Sequence, residues 1–302
     1  MKILFFEIAK GEREVLSKEI KSHDVTFFEE KLTEATMDMA KDADIISVFV
    51  KSSITKKVID SIPGLKFIST RSTGFDHIDT EYAKSRGIEF ANVPAYGSRT
   101  VAEFAFALLL NISRKTSFID QEMKTNKSPD LLSFRGFDLY EKTLGVIGTG
   151  KIGKNVVKIA KGFGMNVIAF DTYPDDAFAK ENSFTYLPLN ELLSKSDIVT
   201  LHTPYNKETH HIINSDTIKS FKKGSYLINT ARGELVDNKA LLSALDEGIL
   251  AGAGLDVVEN NVKLNHTNVV VTPHIAYSTF EAEAEILRVT IESILNFIKN
   301  NN

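Results

Sequence analysis

The stretch LGVIGTGKIG, residues 144–153, decides the fold of the second half of the chain. A short apolar run leads directly into the pattern G-x-G-x-x-G, and a helical pattern follows it. In a strand–turn–helix unit these glycines allow a tight turn, a close approach of the backbone to a pyrophosphate, and close helix–strand packing. The helix N-terminus then offers free amides to the phosphates. The stretch therefore predicts a dinucleotide-binding loop made of Gly148, Thr149, Gly150, Lys151, Ile152 and Gly153.

An aspartate indicates which dinucleotide is bound. Asp171 ends the next predicted strand, NVIAFD, at about the 20-residue distance that is typical of the carboxylate that binds the cofactor ribose. A carboxylate accepts hydrogen bonds from both ribose hydroxyls and repels the 2′-phosphate of NADP. The next residues, Thr172-Tyr173-Pro174, include no arginine to offset that repulsion. The spacing predicts NAD as the cofactor.

On both sides of the glycine loop, short apolar runs alternate with helical patterns along the chain. Such β-α alternation predicts parallel sheets covered by helices on both faces, and hence an α/β fold of two doubly wound units. The predicted strands of the first unit are 4–8, 25–28, 45–50, 66–71 and 88–93, and those of the second are 143–148, 166–171, 197–203, 225–230, 252–257 and 268–273.

Three further segments set the expected domain boundaries. The run 101–115 is apolar nearly all round and predicts a buried linking helix, whereas 116–142 is polar and irregular. The amphipathic segment 279–299 predicts a long helix that folds back over the first unit. We therefore expect one discontinuous domain, 1–97 plus 276–302, and a dinucleotide-binding domain, 98–275.

The composition excludes several classes of function. The 302 residues include 36 Lys and Arg against 40 Asp and Glu, which argues against a non-specific nucleic-acid binder. The chain has no Cys, so disulfide scaffolds, thiolate metal sites and cysteine nucleophiles are excluded. It shows no signal peptide and no apolar run long enough to span a membrane. These features are typical of a cytoplasmic protein.

Seven motifs in the same order resemble one enzyme family over nearly the whole chain. They are FISTRSTGFDHID (67–79), NVPAYGSRTVAE (92–103), LGVIGTGKIG (144–153), HTPYNKETHHIIN (202–214), INTARGELVD (228–237), GAGLDV (252–257) and TPHIA (272–276). The family is the D-isomer-specific 2-hydroxyacid dehydrogenases, and the segments RSTGFDHID and VPAY are most similar to its D-lactate dehydrogenase-like branch. The resemblance implies a flavodoxin-like substrate domain, a Rossmann NAD-binding domain, and interconversion of a small 2-keto acid, most simply pyruvate, with its D-2-hydroxy acid.

The resemblance also implies catalytic residues. Reduction of a 2-keto acid requires a cation that holds the carboxylate and polarises the carbonyl, and the planar fork of Arg232 suits that role. It requires a proton donor near neutral pH as well, and His274 fits because imidazole titrates there. Both residues follow predicted strands, at the carboxyl edge where α/β sheets bind ligands.

The partner of His274 is the point where the chain departs from the family. The family places a glutamate five residues after the aspartate of the LDV motif, and here that position is Asn261. Glu259 lies two residues earlier and is the alternative catalytic carboxylate. The other histidines predict no metal site: His210 and His211 are adjacent, so they cannot both face one ion from a strand. His77 is expected near the substrate site and His202 beside the cofactor.

Further positions are implied by the same motifs. Thr73 and Gly74 are expected to hold the substrate carboxylate with their backbone amides, and Tyr96 to close over its small side chain. Thr100 has two readings, a cofactor contact or a helix N-cap. The remaining positions expected to line the cofactor cleft are Thr203, Pro204, Thr230 and Asp256.

Two other functions stay open on the sequence. The family includes transcriptional corepressors, so a non-catalytic NAD(H)-sensing protein is one alternative. A glycerate or phosphoglycerate dehydrogenase is the other, with Arg71 and Arg99 as candidate phosphate ligands. The apolar helix and the segment after it also resemble the family's dimer-forming region, so we expect a homodimer.

Overall fold

Two parallel sheets organise the chain in the computed structural model, which describes residues 1–125, 132 and 134–301, without the side chain of Asn261. The described residues form two compact units. The first consists of Met1–Tyr96 and the chain from Thr279 onward, and the second is Gly97–Ser278. No helix among the described residues is both long enough and apolar enough to cross a membrane.

The first unit is built on a five-stranded sheet in the order β2-β1-β3-β4-β5, with every neighbouring pair parallel. This is the flavodoxin-like order, in which the chain reverses direction of winding beside β1. Its elements are β1 (Lys2–Phe5), α1 (Lys10–Glu19), β2 (Asp24–Phe27), β3 (Ile45–Val48), α2 (Lys56–Asp60), β4 (Phe67–Thr70), α3 (Thr80–Ser85) and β5 (Glu89–Ala91), with a 3-10 helix at Met37–Ala40.

The last helix, α10 (Phe280–Asn300), covers one face of that sheet. Its buried residues, among them Ile294 and Phe297, join a core cluster with Ile3, Phe5 and Phe67. The rings of Phe67 and Phe297 stack with centroids 4.5 Å apart. The apolar stripe predicted for 279–299 is therefore the face with which this helix completes the core of the first unit.

A buried arginine fastens the carboxyl ends of the same strands. Arg71 is 1% exposed, and its guanidinium donates to the backbone oxygens of Phe6 and Glu7, each at 2.8 Å. A buried guanidinium is tolerated because its donors are satisfied in this way. The guanidinium of Arg71 is thus occupied by backbone oxygens of the first unit, although the sequence makes Arg71 a candidate ligand for a substrate phosphate. The other candidate, Arg99, is exposed.

The second unit contains a seven-stranded sheet in the order β12-β11-β10-β9-β6-β7-β8, again parallel throughout. Read from β8, this is the Rossmann order with one further strand at the edge. Its elements are α4 (Ser98–Arg114), α5 (Thr116–Thr125), β6 (Thr143–Ile147), α6 (Lys151–Gly162), β7 (Asn166–Phe170), α7 (Asp176–Glu181), β8 (Thr185–Tyr186), α8 (Leu189–Lys195), β9 (Ile198–Leu201), β10 (Ser225–Asn229), α9 (Asn238–Asp246), β11 (Leu250–Leu255) and β12 (Val269–Val271). The 3-10 helices are Thr217–Ser220, Gly233–Leu235 and Glu259–Asn261.

These two strand orders confirm the predicted α/β fold class, and a few local expectations are wrong. Residues 116–125 form helix α5, although 116–142 had no regular pattern; residues 126–131 and 133 lie outside the described residues. The two-residue strand β8 was not expected, because two residues show no periodicity. The first strand ends at Phe5 and not at Ile8, because Glu7 has a positive φ of 57° that breaks the extended chain.

Candidate active site

The glycine loop turns the chain from β6 into α6, and its glycines have separate tasks. Gly148 has a φ of +92°, and a Cβ there would stand 2.7 Å from the carbonyl group of His202, so a side chain would collide with the end of β9. A Cβ on Gly153 would stand 2.0 Å from the oxygen of Gly148. At Gly150, by contrast, a Cβ would meet nothing within 4 Å, and no side chain caps the helix. The free amides of the first turn of α6 therefore face open space that suits a pyrophosphate.

Asp171 follows β7 beside this loop. Its Oδ2 accepts hydrogen bonds from the amide and the hydroxyl of Thr149, at 2.6 and 2.9 Å, and its Oδ1 accepts from the amide of Tyr173 at 2.9 Å. Tyr186, on β8, shares a hydrogen bond of 2.8 Å with the Thr149 hydroxyl. Because a carboxylate has about four acceptor positions, the side chain is fixed and still has room for a ribose hydroxyl.

Two buried polar atoms just beyond the carboxyl ends of β9 and β10 lack a partner in the described part of the chain. They are Nδ1 of His202 and Oγ1 of Thr230, in residues that are 9% and 7% exposed. Buried polar atoms are usually hydrogen-bonded, and the exceptions point to a missing ligand or water. Together with the open space at Gly150, they show that the carboxyl edge of this sheet fits a polar cofactor such as NAD.

Arg232 lies three residues beyond β10, on a loop that two features hold in place. Asn229, fully buried at the end of the strand, donates to the backbone oxygen of Arg232 at 2.8 Å and accepts from the amide of Ala231 at 3.0 Å. A Cβ on Gly233 would stand 2.3 Å from the amide of Glu259, so only glycine allows the loop to pack there. The backbone that carries the Arg232 guanidinium is therefore firmly positioned.

Asp256 organises the segment that carries His274. It follows β11 and is 1% exposed; its carboxylate accepts from the Thr272 hydroxyl at 2.5 Å and from the amides of Ile275 and Ala276 at 3.0 and 2.8 Å. Its backbone oxygen accepts from the amide of His274 at 2.8 Å. The loop after β12 thus wraps around one buried carboxylate, which holds His274 in the left-handed region, with φ 58°. The sequence placed Asp256 beside the cofactor; the structure shows it bonded to this loop.

Glu259 is hydrogen-bonded to a histidine other than His274, for which the sequence made it a candidate partner. Its Oε1 accepts a hydrogen bond of 3.1 Å from Nε2 of His211, in the turn after β9. This carboxylate was the candidate partner of His274, and the hydrogen bond that the structure gives it goes to another histidine. The side chain of Asn261, the other candidate, lies outside the described residues.

In the first unit, the turn after β4 presents the two residues expected to bind a carboxylate. The hydroxyl of Thr73 donates to the oxygen of Val93 at 2.8 Å and accepts from the amide of Ala95 at 3.3 Å, which fixes the segment that ends at Tyr96. Within the described ranges, the amides of Thr73 and Gly74 donate to no protein acceptor. Free amides in a turn form an anion-binding nest.

The second unit also shows where the other predicted cofactor residues lie. Lys151 and Ile152 begin α6, and Thr203 and Pro204 follow β9. Thr100 lies within the first turn of α4, whose N-cap is Gly97, so the prediction that Thr100 is the N-cap of this helix is wrong.

Comparison with known proteins decides the family. The sequence profile of the D-isomer specific 2-hydroxyacid dehydrogenase, NAD binding domain, matches residues 106–276. The D-lactate dehydrogenase of Lactiplantibacillus plantarum is 33% identical over 99% of this chain and 97% of its own length. The glyoxylate reductase of Korarchaeum cryptofilum is 36% identical over 86% of this chain and 81% of its own length. The chain belongs to the D-isomer-specific 2-hydroxyacid dehydrogenase family.

A solved structure extends this relationship to the cofactor. The D-lactate dehydrogenase from Aquifex aeolicus, complexed with NAD and lactic acid, superposes with a TM-score of 0.90 at 36% identity and covers 99% of this chain and 96% of its own. The protein is therefore an NAD-dependent oxidoreductase of the D-lactate dehydrogenase-like branch, as its motifs predicted.

One buried group makes the stability of the dehydrogenase pH-dependent. Burial lowers the pKa of His202 from 6.5 to about 3. Between pH 6.5 and about pH 3 the imidazole of His202 is protonated in the unfolded chain and neutral in the folded chain. Above pH 6.5 His202 is neutral in both states, and the folded chain has its full stability. As the pH falls toward 3, protonation of His202 in the unfolded chain alone lowers the free energy of unfolding. We expect His202 to lower the free energy of unfolding by about 1.4 kcal/mol per pH unit in that window.

Urea unfolding of wild type and His202→Gln at several pH values between 7 and 4 measures this contribution. Glutamine does not titrate, so the variant should show the shallower pH dependence, although it is less stable at pH 7. Equal slopes for the two proteins would show that His202 takes up its proton in the folded state.

Two positioning residues were not found from the sequence. Asn229 and Thr272 hold the loops of Arg232 and His274, and both are polar residues at or just after the end of an apolar strand. That pattern, a polar residue closing a buried strand, was the available signal. Asn229 binds a backbone oxygen and Thr272 binds the carboxylate of Asp256, and neither partner is evident from the pattern because both depend on the conformation of the loop.

Proposed function

We propose that this dehydrogenase interconverts pyruvate and D-lactate, with Arg232 and His274 as its catalytic residues. The observation that carries the proposal is the order of polar groups along one sheet edge. Arg232 follows β10, Asp256 follows β11 and His274 follows β12, and these three strands are neighbours. A guanidinium and an imidazole at the carboxyl ends of β10 and β12, the two neighbours of β11, suit the cation and the proton donor that reduction of a 2-keto acid requires.

In this proposal Arg232 binds the substrate. Its guanidinium donates to the carboxylate and to the carbonyl oxygen of the keto acid, which fixes C2 and draws electron density from it. As the carbonyl becomes an alkoxide, negative charge develops on the oxygen that the guanidinium faces, so the interaction strengthens toward the transition state. Asn229 and Gly233 make the loop rigid enough to hold that geometry.

His274 is the proton donor for the same oxygen. NADH, when bound, supplies the hydride to C2. The imidazolium gives its proton to the developing alkoxide, and in the reverse direction the neutral ring accepts the proton of the hydroxyl. Asp256 acts through the backbone: it fixes the loop that carries His274, so it is a positioning residue.

We assign substrate recognition in the first unit to Thr73, Gly74 and Tyr96. The amides of Thr73 and Gly74, which have no acceptor among the described residues, suit a carboxylate. Tyr96 follows the segment that Thr73 holds, and an aromatic ring favours a small apolar substituent such as the methyl group of pyruvate. The commitment of Arg71 to backbone oxygens speaks against a phosphorylated substrate.

Relatives of two kinds bear on the choice between pyruvate and glyoxylate as the substrate. A D-lactate dehydrogenase aligns with nearly the full chain, and a glyoxylate reductase is slightly more identical over a shorter part. Glyoxylate lacks the methyl group that Tyr96 is proposed to contact, so glyoxylate reduction is the second candidate function.

A panel of keto acids separates these candidates. Initial rates of NADH oxidation with pyruvate, glyoxylate, hydroxypyruvate, a branched 2-keto acid and 3-phosphohydroxypyruvate should give the highest kcat/KM for pyruvate. One methylene of misfit in an apolar pocket is worth roughly 10- to 200-fold, so the branched acid should be well below pyruvate. The product should be the D enantiomer on chiral chromatography. A higher kcat/KM for glyoxylate would replace the lactate assignment, and inactivity with the whole panel would overturn the dehydrogenase mechanism proposed for this site.

A further inference from the structure

Two histidines and a glutamate meet on one side of the second unit. His210, His211 and Glu259 each offer one ligand atom, and these atoms lie within 4.8 Å of one another. His211 and Glu259 are already hydrogen-bonded at 3.1 Å. Among the described residues this is the one group of three such side chains with the spacing of a metal site.

A left-handed residue brings the two histidines to the same side. Adjacent residues of a strand point to opposite faces, and on that basis the pair was not expected to share an ion. The pair lies in a turn, however, and His211 has a φ of 49°. The two imidazole rings consequently stack, with centroids 3.9 Å apart and planes 22° from parallel.

Hydrogen bonds hold the backbone of each ligand in place. The amide of His211 donates to the oxygen of Glu234 at 2.9 Å, and its own oxygen accepts from Asn214 Nδ2 at 2.9 Å. The oxygen of Glu259 accepts from Asn238 Nδ2 at 3.2 Å. The amide of His210 donates to the oxygen of Asn206 at 2.9 Å, which closes the turn. The backbones of the three ligands are thus fixed before any ion binds, so binding requires movement of the side chains alone.

We propose that His210, His211 and Glu259 form a binding site for a divalent transition-metal ion. Two imidazole nitrogens and one carboxylate oxygen favour Zn²⁺, Ni²⁺, Co²⁺ or Cu²⁺, whereas Mg²⁺ and Ca²⁺ prefer oxygen ligands alone. Three protein ligands leave a coordination position for water. His210 is exposed while His211 and Glu259 are half-buried, so the ion enters from solvent on the side of His210.

The ion would link two loops that already touch the segment carrying Arg232. Glu259 packs against Gly233, and His211 bonds to Glu234. A bound metal ion would replace the single hydrogen bond between His211 and Glu259 by coordination bonds from His210 and His211 on one loop and from Glu259 on the other. Occupation of the site would therefore stiffen the support of the Arg232 loop.

Titration of the untagged protein with Co²⁺ and Zn²⁺ tests the site. A polyhistidine tag must be absent because it binds the same ions, and a chelator step with later dialysis provides a metal-free start. We expect one Co²⁺ per chain, seen as visible ligand-field absorption that Zn²⁺ abolishes by competition. Calorimetry with Zn²⁺ should give the same stoichiometry.

Variants identify the ligands. His210→Ala and His211→Ala should each weaken Zn²⁺ binding at least tenfold. His266→Ala is the matched control, since His266 also lies near a carboxylate, Nε2 being 3.6 Å from Asp246 Oδ1, but belongs to no group of three such ligands among the described residues. His210→Ala removes an exposed side chain, so a folding defect is not expected, and NADH binding verifies this. Zn²⁺ binding of wild-type strength in His210→Ala, or no stoichiometric binding by the wild type, would overturn the proposal.

Discussion

Replacing His274 is expected to lower kcat for pyruvate reduction by about 10²- to 10⁴-fold, the usual contribution of one general acid. Without the imidazolium, the developing alkoxide must take its proton from water, which is neither positioned nor acidic enough at neutral pH. The affinity for NADH should stay close to that of the wild type, because the glycine loop and Asp171 lie after other strands, β6 and β7.

Two substitutions keep this experiment interpretable. His274→Gln imitates the shape of the ring, whereas His274→Asn tolerates the φ of 58° better, since asparagine adopts the left-handed region more readily than most residues. His266→Gln is the matched control, because His266 precedes β12 in the same unit while His274 follows it. The chain contains no Trp, so NADH binding is followed by the fluorescence of NADH itself and not by quenching of tryptophan. Turnover near the wild-type rate in both His274 variants would remove the residue from the mechanism.

Local sequence patterns predicted the parts of the cofactor site that depend on few neighbours. The glycines at 148, 150 and 153 are dictated by a turn and by close backbone contacts within one strand–turn–helix unit. Asp171 needs only the end of the next strand, and Thr149, one residue into the loop, is near enough to fix it. Such features are visible in sequence because spacing along the chain determines their geometry.

The surroundings of the catalytic residues depend on contacts that spacing does not determine. Glu259 is directed to His211 by the packing of its backbone on Gly233 and by a left-handed turn 48 residues earlier. The sequence makes Arg71 a candidate anion ligand, whereas in the structure its guanidinium donates to the oxygens of Phe6 and Glu7, about 65 residues away in sequence. Asp256 follows β11, and its hydrogen bonds to residues 272–276 require the pairing of β11 with β12. Tertiary structure, and not local pattern, assigns partners to buried charged groups.

Replacing Arg232 by glutamine should lower kcat/KM for pyruvate by about 30- to 5,000-fold, since truncating one member of a desolvated, hydrogen-bonded charge pair costs roughly 2–5 kcal/mol. The loss should fall on both parameters. KM rises because the substrate carboxylate loses its cation, and kcat falls because the alkoxide forms without the guanidinium. Arg232→Lys should recover only part of the loss, because an ammonium keeps the charge but has no planar fork to bind two oxygens together.

The comparison between the two Arg232 variants separates charge from geometry. The loop itself should remain intact in both, because Asn229 binds the backbone oxygen of Arg232 and not its side chain. Arg114→Gln, in the last turn of α4 and exposed, is the control for loss of one positive charge in the same unit. If lysine restored full kcat/KM, Arg232 would act as a point charge, and the bidentate contact to carboxylate and carbonyl would be wrong. If glutamine had no effect, the cation of this active site would have to be another residue.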